Sequence, residues 1–133
     1  MGRSPAQVVI HRLSPADTGY QWLPHRLRNV SAVTGACLLT RTEVYALVGG
    51  FDENHLAVQF NDIDYCLEVI ARGYRIVYEP AATLRHVTSA SRGRQYDLRE
   101  NDYFLQKHRG YRDPFVSPHL DPASLFGTAP KLL

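Results

Sequence analysis

Cysteine is scarce in this chain of 133 residues: only Cys37 and Cys66 occur. Each lies in an apolar run, which reads as a buried, reduced thiol and not as a disulfide or a zinc pair. No apolar run approaches the roughly 18 residues a membrane span requires. The first residues also lack the long apolar core of a signal peptide, so a cytoplasmic location is expected. Charge of one sign is missing too: a net +2 is too small to imply a nucleic-acid partner. Arg far outnumbers Lys, which suits contacts to phosphate or carboxylate. No internal repeat is visible. What is present, 44% apolar and 21% charged residues, excludes wholesale disorder and fits one domain, 1–133, or part of a larger one.

The first thirty residues are irregular. Gln7–Ile10 reads as a short strand, followed by a loop punctuated by Pro15, Gly19 and Pro24, in which Tyr20 and Trp22 could stack on a sugar or nucleotide but are expected to cover an adjoining core. So long an irregular start is easiest to understand if the chain begins partway through a larger fold. From Val30 to Leu39 the pattern is strand-like in two parts, broken by Thr34-Gly35-Ala36, where glycine marks a bulge or a close backbone approach. Thr40 with Glu43 three residues on forms a capping-box pattern. It predicts a short helix that presents Val44, Leu47 and Val48 to a core and ends at Gly49. A second helix is predicted from Asn61 or Asp62, with Ile63, Cys66, Leu67 and Ile70 as its apolar stripe and Gly73 as its stop. Arg75–Tyr78 and Thr83–Val87 read as strands. A helix is predicted over 95–108, with Tyr96, Arg99, Tyr103 and Lys107 in one lane and Leu98, Phe104 and Leu105 near an apolar face. The proline-rich remainder, 109–133, reads as an extended tail.

Three clusters could carry chemistry. Asp52 and Glu53 lie on one side of a loop, Asp62 and Asp64 on the other. A carboxylate facing a cleft can deprotonate a hydroxyl that attacks an electrophilic carbon. Acids in a first helical turn are equally explained by the dipole, which favours negative charge there. His86 ends a β-like run and reads on its own as a satisfied structural histidine. Ser89-Ala90-Ser91-Arg92-Gly93 would suit phosphate oxygens through backbone amides and a bidentate Arg, or form an ordinary turn. No His or Cys spacing matches zinc; a carboxylate–His arrangement for Mg²⁺ or Mn²⁺ is the sharper metal candidate.

The order of these segments is more specific than any one of them. Thr34-Gly35-Ala36-Cys37-Leu38-Leu39-Thr40-Arg41 is followed by Val48-Gly49-Gly50-Phe51-Asp52-Glu53 and by Phe60-Asn61-Asp62-Ile63-Asp64-Tyr65-Cys66-Leu67. Then come Arg72–Pro80, His86 and Ser89–Gly93. From Asn29 to Gly93 this string resembles the C-terminal half of GT-A-type family 2 glycosyltransferases, near the rhamnosyltransferase-like members. The resemblance implies an α/β, partial GT-A fold, with a mixed sheet, flanking helices and an extended tail. It implies an enzyme of cell-wall or polysaccharide biosynthesis that moves a sugar, with inversion, from a nucleotide-diphosphate donor to a sugar or glycan acceptor. Asp62 matches the general base. Asn61 departs from the Glu that commonly precedes it, which leaves no first carboxylate. Gly50, Phe51, Asp52 and Glu53 match the acceptor-side loop. Thr34, Gly35 and Ala36 match residues beside the donor sugar, and Ser91 and Arg92 residues near its diphosphate. His86 matches the histidine that helps hold a divalent metal, Mg or Mn. The family's donor-binding half, with its Asp-x-Asp motif, precedes the matched region and has no counterpart here. On its own the chain is therefore expected not to bind donor tightly, and to self-associate or pair with such a half. The alternative is a non-catalytic binding or assembly module that keeps part of the fold.

Overall fold

The computed structural model describes residues 20–84, 97–116 and 119. The expected strand Gln7–Ile10, residues 85–87 of the run expected from Thr83, and His86, Ser91 and Arg92 lie outside them. Thr83 and Leu84 are described and are not in a strand. In chain order the elements are a 3-10 helix at Tyr20–His25, strand β1 (Arg28–Val30), a 3-10 turn at Gly35–Cys37, helix α1 (Thr42–Val48), helix α2 (Asn61–Ala71), strand β2 (Ile76–Tyr78) and helix α3 (Leu98–Lys107).

The α/β character expected from the sequence holds, but the sheet among the described residues is not mixed. It is an antiparallel pair, β1 against β2, in the register Arg28↔Tyr78, Asn29↔Val77 and Val30↔Ile76. The Arg28 guanidinium lies 5.1 Å from the centre of the Tyr78 ring, and the Tyr78 hydroxyl donates to Pro24 O at 3.0 Å, which ties the leading 3-10 helix to the sheet. Trp22 does not cover a core. It is 56% exposed, with a positive φ of 61°, and among the described residues its ring meets His25 edge-on.

Helix α1 starts one residue later than a Thr40 cap requires. Its N-cap is Arg41, without a side-chain cap bond. Arg41 pairs with Glu43 instead, and the Thr40 hydroxyl is taken by Tyr65 Oη at 2.8 Å. A tertiary hydrogen bond worth about 1 kcal/mol competes with a local cap of similar size, and here it wins. Leu47, expected in the core, is exposed; Val44 is buried and Val48 packs partly against it. Gly49 closes the helix at φ 93°, in the left-handed region.

Helix α2 joins two apolar clusters. Tyr65 and Val69 meet Val44, with Phe51 and Ile76 around them. Leu67 meets Leu56 and Phe104, with Phe60 and Ile63 around them. The predicted stripe is thus half right: Cys66 and Leu67 are buried, Ile63 and Ile70 only partly so, while Asp64, Tyr65 and Val69 are buried in addition. Burial pushes the Cys66 thiol up to about 11. Cys37, expected to be buried, is exposed. It sits in the 3-10 turn, not on a strand, so no neighbour covers it.

Helix α3 is shorter than expected and is capped by Asp97, which accepts from Arg99 N at 2.8 Å. Phe104 is buried, as its lane predicts, while Leu98 is 67% exposed. The expected tail begins attached to the body. Tyr111 N donates to His108 O, and its hydroxyl shares a 2.8 Å hydrogen bond with Ser31 Oγ.

Candidate active site

Two groups of expected site residues form around the start of α2. The first is Asp62 with Thr34-Gly35-Ala36. The 3-10 turn after Thr34 forms because the Thr34 hydroxyl accepts from Ala36 N at 3.3 Å and its carbonyl from Cys37 N at 3.2 Å. This turn aims Gly35 N–H at Asp62 Oδ2, 2.8 Å away, while Asp62 Oδ1 accepts from Ile63 N at 2.8 Å. The contact explains the glycine. A Cβ on residue 35 would stand 3.3 Å from Asp62 Cβ and 3.7 Å from Oδ2. Each Asp62 oxygen keeps a lone pair beyond the one bond it accepts, so the half-buried carboxylate can still take a proton from a ligand.

The second group is the loop after Gly49. Gly50 has φ 78°, and a Cβ there would fall 2.8 Å from Tyr45 Oη, so both backbone and space call for glycine. Phe51 is turned into the core, its ring 5.2 Å from Tyr65 and 5.8 Å from Tyr45. Asp52 accepts from His55 N at 3.1 Å, from His55 Nδ1 at 3.0 Å and from the Tyr103 hydroxyl at 3.0 Å. The His55 ring stacks on Tyr103 at 4.4 Å. Burial pushes the Asp52 carboxyl up, but the bonds from His55 and Tyr103 outweigh it and leave it below its ordinary value. Glu53 is exposed. The loop borders an open concavity of about 660 Å³, lined also by Asp64, Arg72 and Lys107. Asp62 does not line it: two residues along a helix is a turn of about 200°, so Asp62 and Asp64 leave α2 on different faces.

Asp64 is not merely an acid that favours a helix start. It is 3% exposed. Lys107 Nζ lies 2.8 Å from its Oδ1, and His108 Nε2 donates to the same oxygen at 2.7 Å. Burial raises the Asp64 carboxyl, yet the bonds from His108 and Lys107 more than cancel this and hold it below the usual range. Lys107 reaches on to Glu68 at 3.4 Å, and Glu68 to Arg72 at 2.7 Å.

Glu100 was not among the residues the sequence singled out. Asp97-Leu98-Arg99-Glu100 has the spacing of a capping box, which assigns Glu100 a local role. A second signal was available: Glu100, Phe104 and His108 stand four apart, so the acid occupies the lane of the buried Phe104. The Glu100 carboxylate instead reaches back more than forty residues and accepts from Val58 N at 3.2 Å and Gln59 N at 2.6 Å.

Among the described residues, no three His, Cys, Asp or Glu side chains form a metal-ligating group. His86 lies outside them. The described side chains alone offer no divalent ion a ligand set. No described helix is long and apolar enough to cross a membrane.

The sequence profile described as Glycosyltransferase like family 2 matches residues 11–111, so the chain belongs to that family. It is 42% identical over 120 residues to the uncharacterized protein y4gI of Sinorhizobium fredii, covering 83% of this chain and 13% of that protein. It is 39% identical over 100 residues to the O-antigen biosynthesis protein RfbC of Myxococcus xanthus, covering 70% of this chain and 8% of the relative. Against the N-acetylglucosaminyl-diphospho-decaprenol L-rhamnosyltransferase of Mycobacterium tuberculosis the identity is 32% over 83 residues, 62% of this chain and 24% of that enzyme. The chain thus spans a quarter or less of the length of these relatives. No solved structure matches it significantly.

Proposed function

We propose that these residues form the acceptor and general-base side of an inverting glycosyltransferase with a GT-A arrangement, acting in polysaccharide assembly. The observation that carries the reading is the Asp62 carboxylate held at 2.8 Å by Gly35 N–H, next to the turn matched to the donor sugar. Asp62 takes the proton of the acceptor hydroxyl. The hydroxyl oxygen bonds to the anomeric carbon, and the bond to the leaving phosphate oxygen breaks, its electron pair departing with the nucleoside diphosphate. One such in-line displacement inverts the anomeric centre. The names of the relatives, an O-antigen protein and a rhamnosyltransferase, support a glycan acceptor and a deoxyhexose among the donors to try. Asp52 and Glu53 border the concavity that Asp62 does not line, so in this reading they meet a part of the acceptor away from the attacking hydroxyl; Ser91 and Arg92 serve the diphosphate, and His86 helps hold a divalent metal.

The test is an assay of the native gene product with UDP-, GDP- and dTDP-linked sugars and glycan acceptors, the product anomer being assigned by NMR. Transfer with inversion is expected; a retained configuration, or no transfer with any donor, overturns the proposal. A second reading has one observation behind it. Both Asp62 oxygens already accept backbone hydrogen bonds, as they would if Asp62 only stapled α2 to the 34–36 turn of a binding module.

Gly35→Ala separates the two. The new methyl group meets Asp62 at 3.3 Å and displaces it by a few tenths of an ångström. A base shifted that far should lose about tenfold in turnover, while donor affinity and thermal stability stay nearly constant. A staple in a binding module would show lower stability, with no transfer in either protein.

A further inference from the structure

We propose that Glu100 is the positioning residue for Asp62, acting through the turn at Phe60; the proposal rests on the reading of Asp62 as the base. Phe60 is the N-cap of α2 and has φ 62°, the left-handed region, which costs a residue with a Cβ and persists only where surrounding contacts hold it. Two sets of contacts hold it here, and both come from α3. The Phe60 ring stacks on Phe104, 4.9 Å between centres and 21° between planes. One turn earlier on α3, Glu100 is 8% exposed, and its carboxylate accepts from the amides of Val58 and Gln59, the two residues just before Phe60.

A charged acceptor shared by two successive amides is a strong, directional anchor. It fixes the chain on the entry side of the left-handed residue. On the exit side Phe60 O accepts from Asp64 N at 2.8 Å, the first bond of α2, and Asp64 is itself gripped by Lys107 and His108. Asn61 and Asp62 lie between these two fixed points. The direction in which Asp62 leaves the helix toward Gly35 is therefore set from α3. Without the Glu100 carboxylate, two amides lose their acceptor and the left-handed turn loses its entry anchor. Phe60 can then relax toward negative φ, and the first turn of α2 rotates with it.

The experiment compares amide NMR spectra of the full 133-residue chain as wild type, Glu100→Ala, Glu100→Gln and Asp62→Asn. A charged acceptor 2.8 Å from Gly35 N moves that amide proton downfield, and Asp62→Asn supplies its position without the charge. In Glu100→Ala the Val58 and Gln59 resonances should shift, and that of Gly35 should move most of the way to its Asp62→Asn position. Val44 and Val69, in the other cluster, should not move. Glu100→Gln keeps one carbonyl acceptor and should restore part of the Gly35 shift; it also carries the test if the alanine variant does not fold. A Gly35 resonance that stays in place while Val58 and Gln59 move, or no movement at any of the three, overturns the proposal. In the native gene product Glu100→Ala should lower kcat about tenfold with the donor KM unchanged, as displacement of a base predicts. Retained transfer in Asp62→Asn would remove the base reading alone and leave the NMR result standing.

Discussion

Asp62→Asn is expected to lower transfer by the native gene product by about 10²–10⁴-fold, the usual contribution of a positioned general base. Asparagine has the same shape, and its carbonyl oxygen can still accept from Gly35 N–H, so the 34–36 turn keeps its partner while the bond from Ile63 N–H is given up. What it lacks is a lone pair basic enough to take the acceptor proton. The loss should therefore appear in kcat, with donor binding by isothermal titration calorimetry unchanged. Equal turnover in the two proteins would sink Asp62 as the base and leave it the staple described above. Lost donor binding with lost turnover would point to a binding role.

The second large effect concerns stability. Asp64→Asn should lower the unfolding free energy by about 3 kcal/mol at neutral pH, the low end of the cost of breaking a buried ion pair by removing one partner. The low end applies because Lys107 keeps Glu68 at 3.4 Å. The effect should depend on pH in one direction. Once burial is offset by His108 and Lys107, the Asp64 carboxyl lies below its unfolded value. Its contribution is therefore complete above the unfolded carboxylate range, near pH 4, and is lost as pH falls through the lower folded value. Urea unfolding of both proteins between pH 7 and pH 2 should show a constant gap that closes at the acid end. A gap that does not vary with pH, or one below about 1 kcal/mol at pH 7, would mean that the pair is incidental.

These effects fall on residues that the sequence disclosed unequally. The close approach at Gly35 was legible because a glycine breaking a strand-like run signals one; that Asp62 is what approaches was not. Their contact at 2.8 Å is the form that approach takes. The helix from Asn61, its acids in the first turn, the stop at Gly49 and the strand at Ile76–Tyr78 were legible from period and punctuation. Thr40 was misread because a capping-box spacing is a local rule, and the hydroxyl found Tyr65, twenty-five residues away. Asp64 was undervalued because an acid at a helix start has a sufficient local explanation. Only its contact with Lys107 and His108 shows that it fastens α3 to α2. Leu47 and Cys37 were placed inside because apolar character predicts burial only where another element arrives to cover it.

By itself the sequence determined the family and the short elements whose signals lie within a few residues of each other. Only the tertiary structure decided how the acids of the opening loop and helix are divided. Asp52 is bound to His55 and Tyr103, Asp62 meets Gly35, Asp64 lies in an ion pair, and Glu100 holds the turn before them. The reason is physical. Periodicity and caps are properties of neighbours in the chain, whereas a carboxylate's role is set by the donors around it, and here several of those come from twenty-five or more residues away.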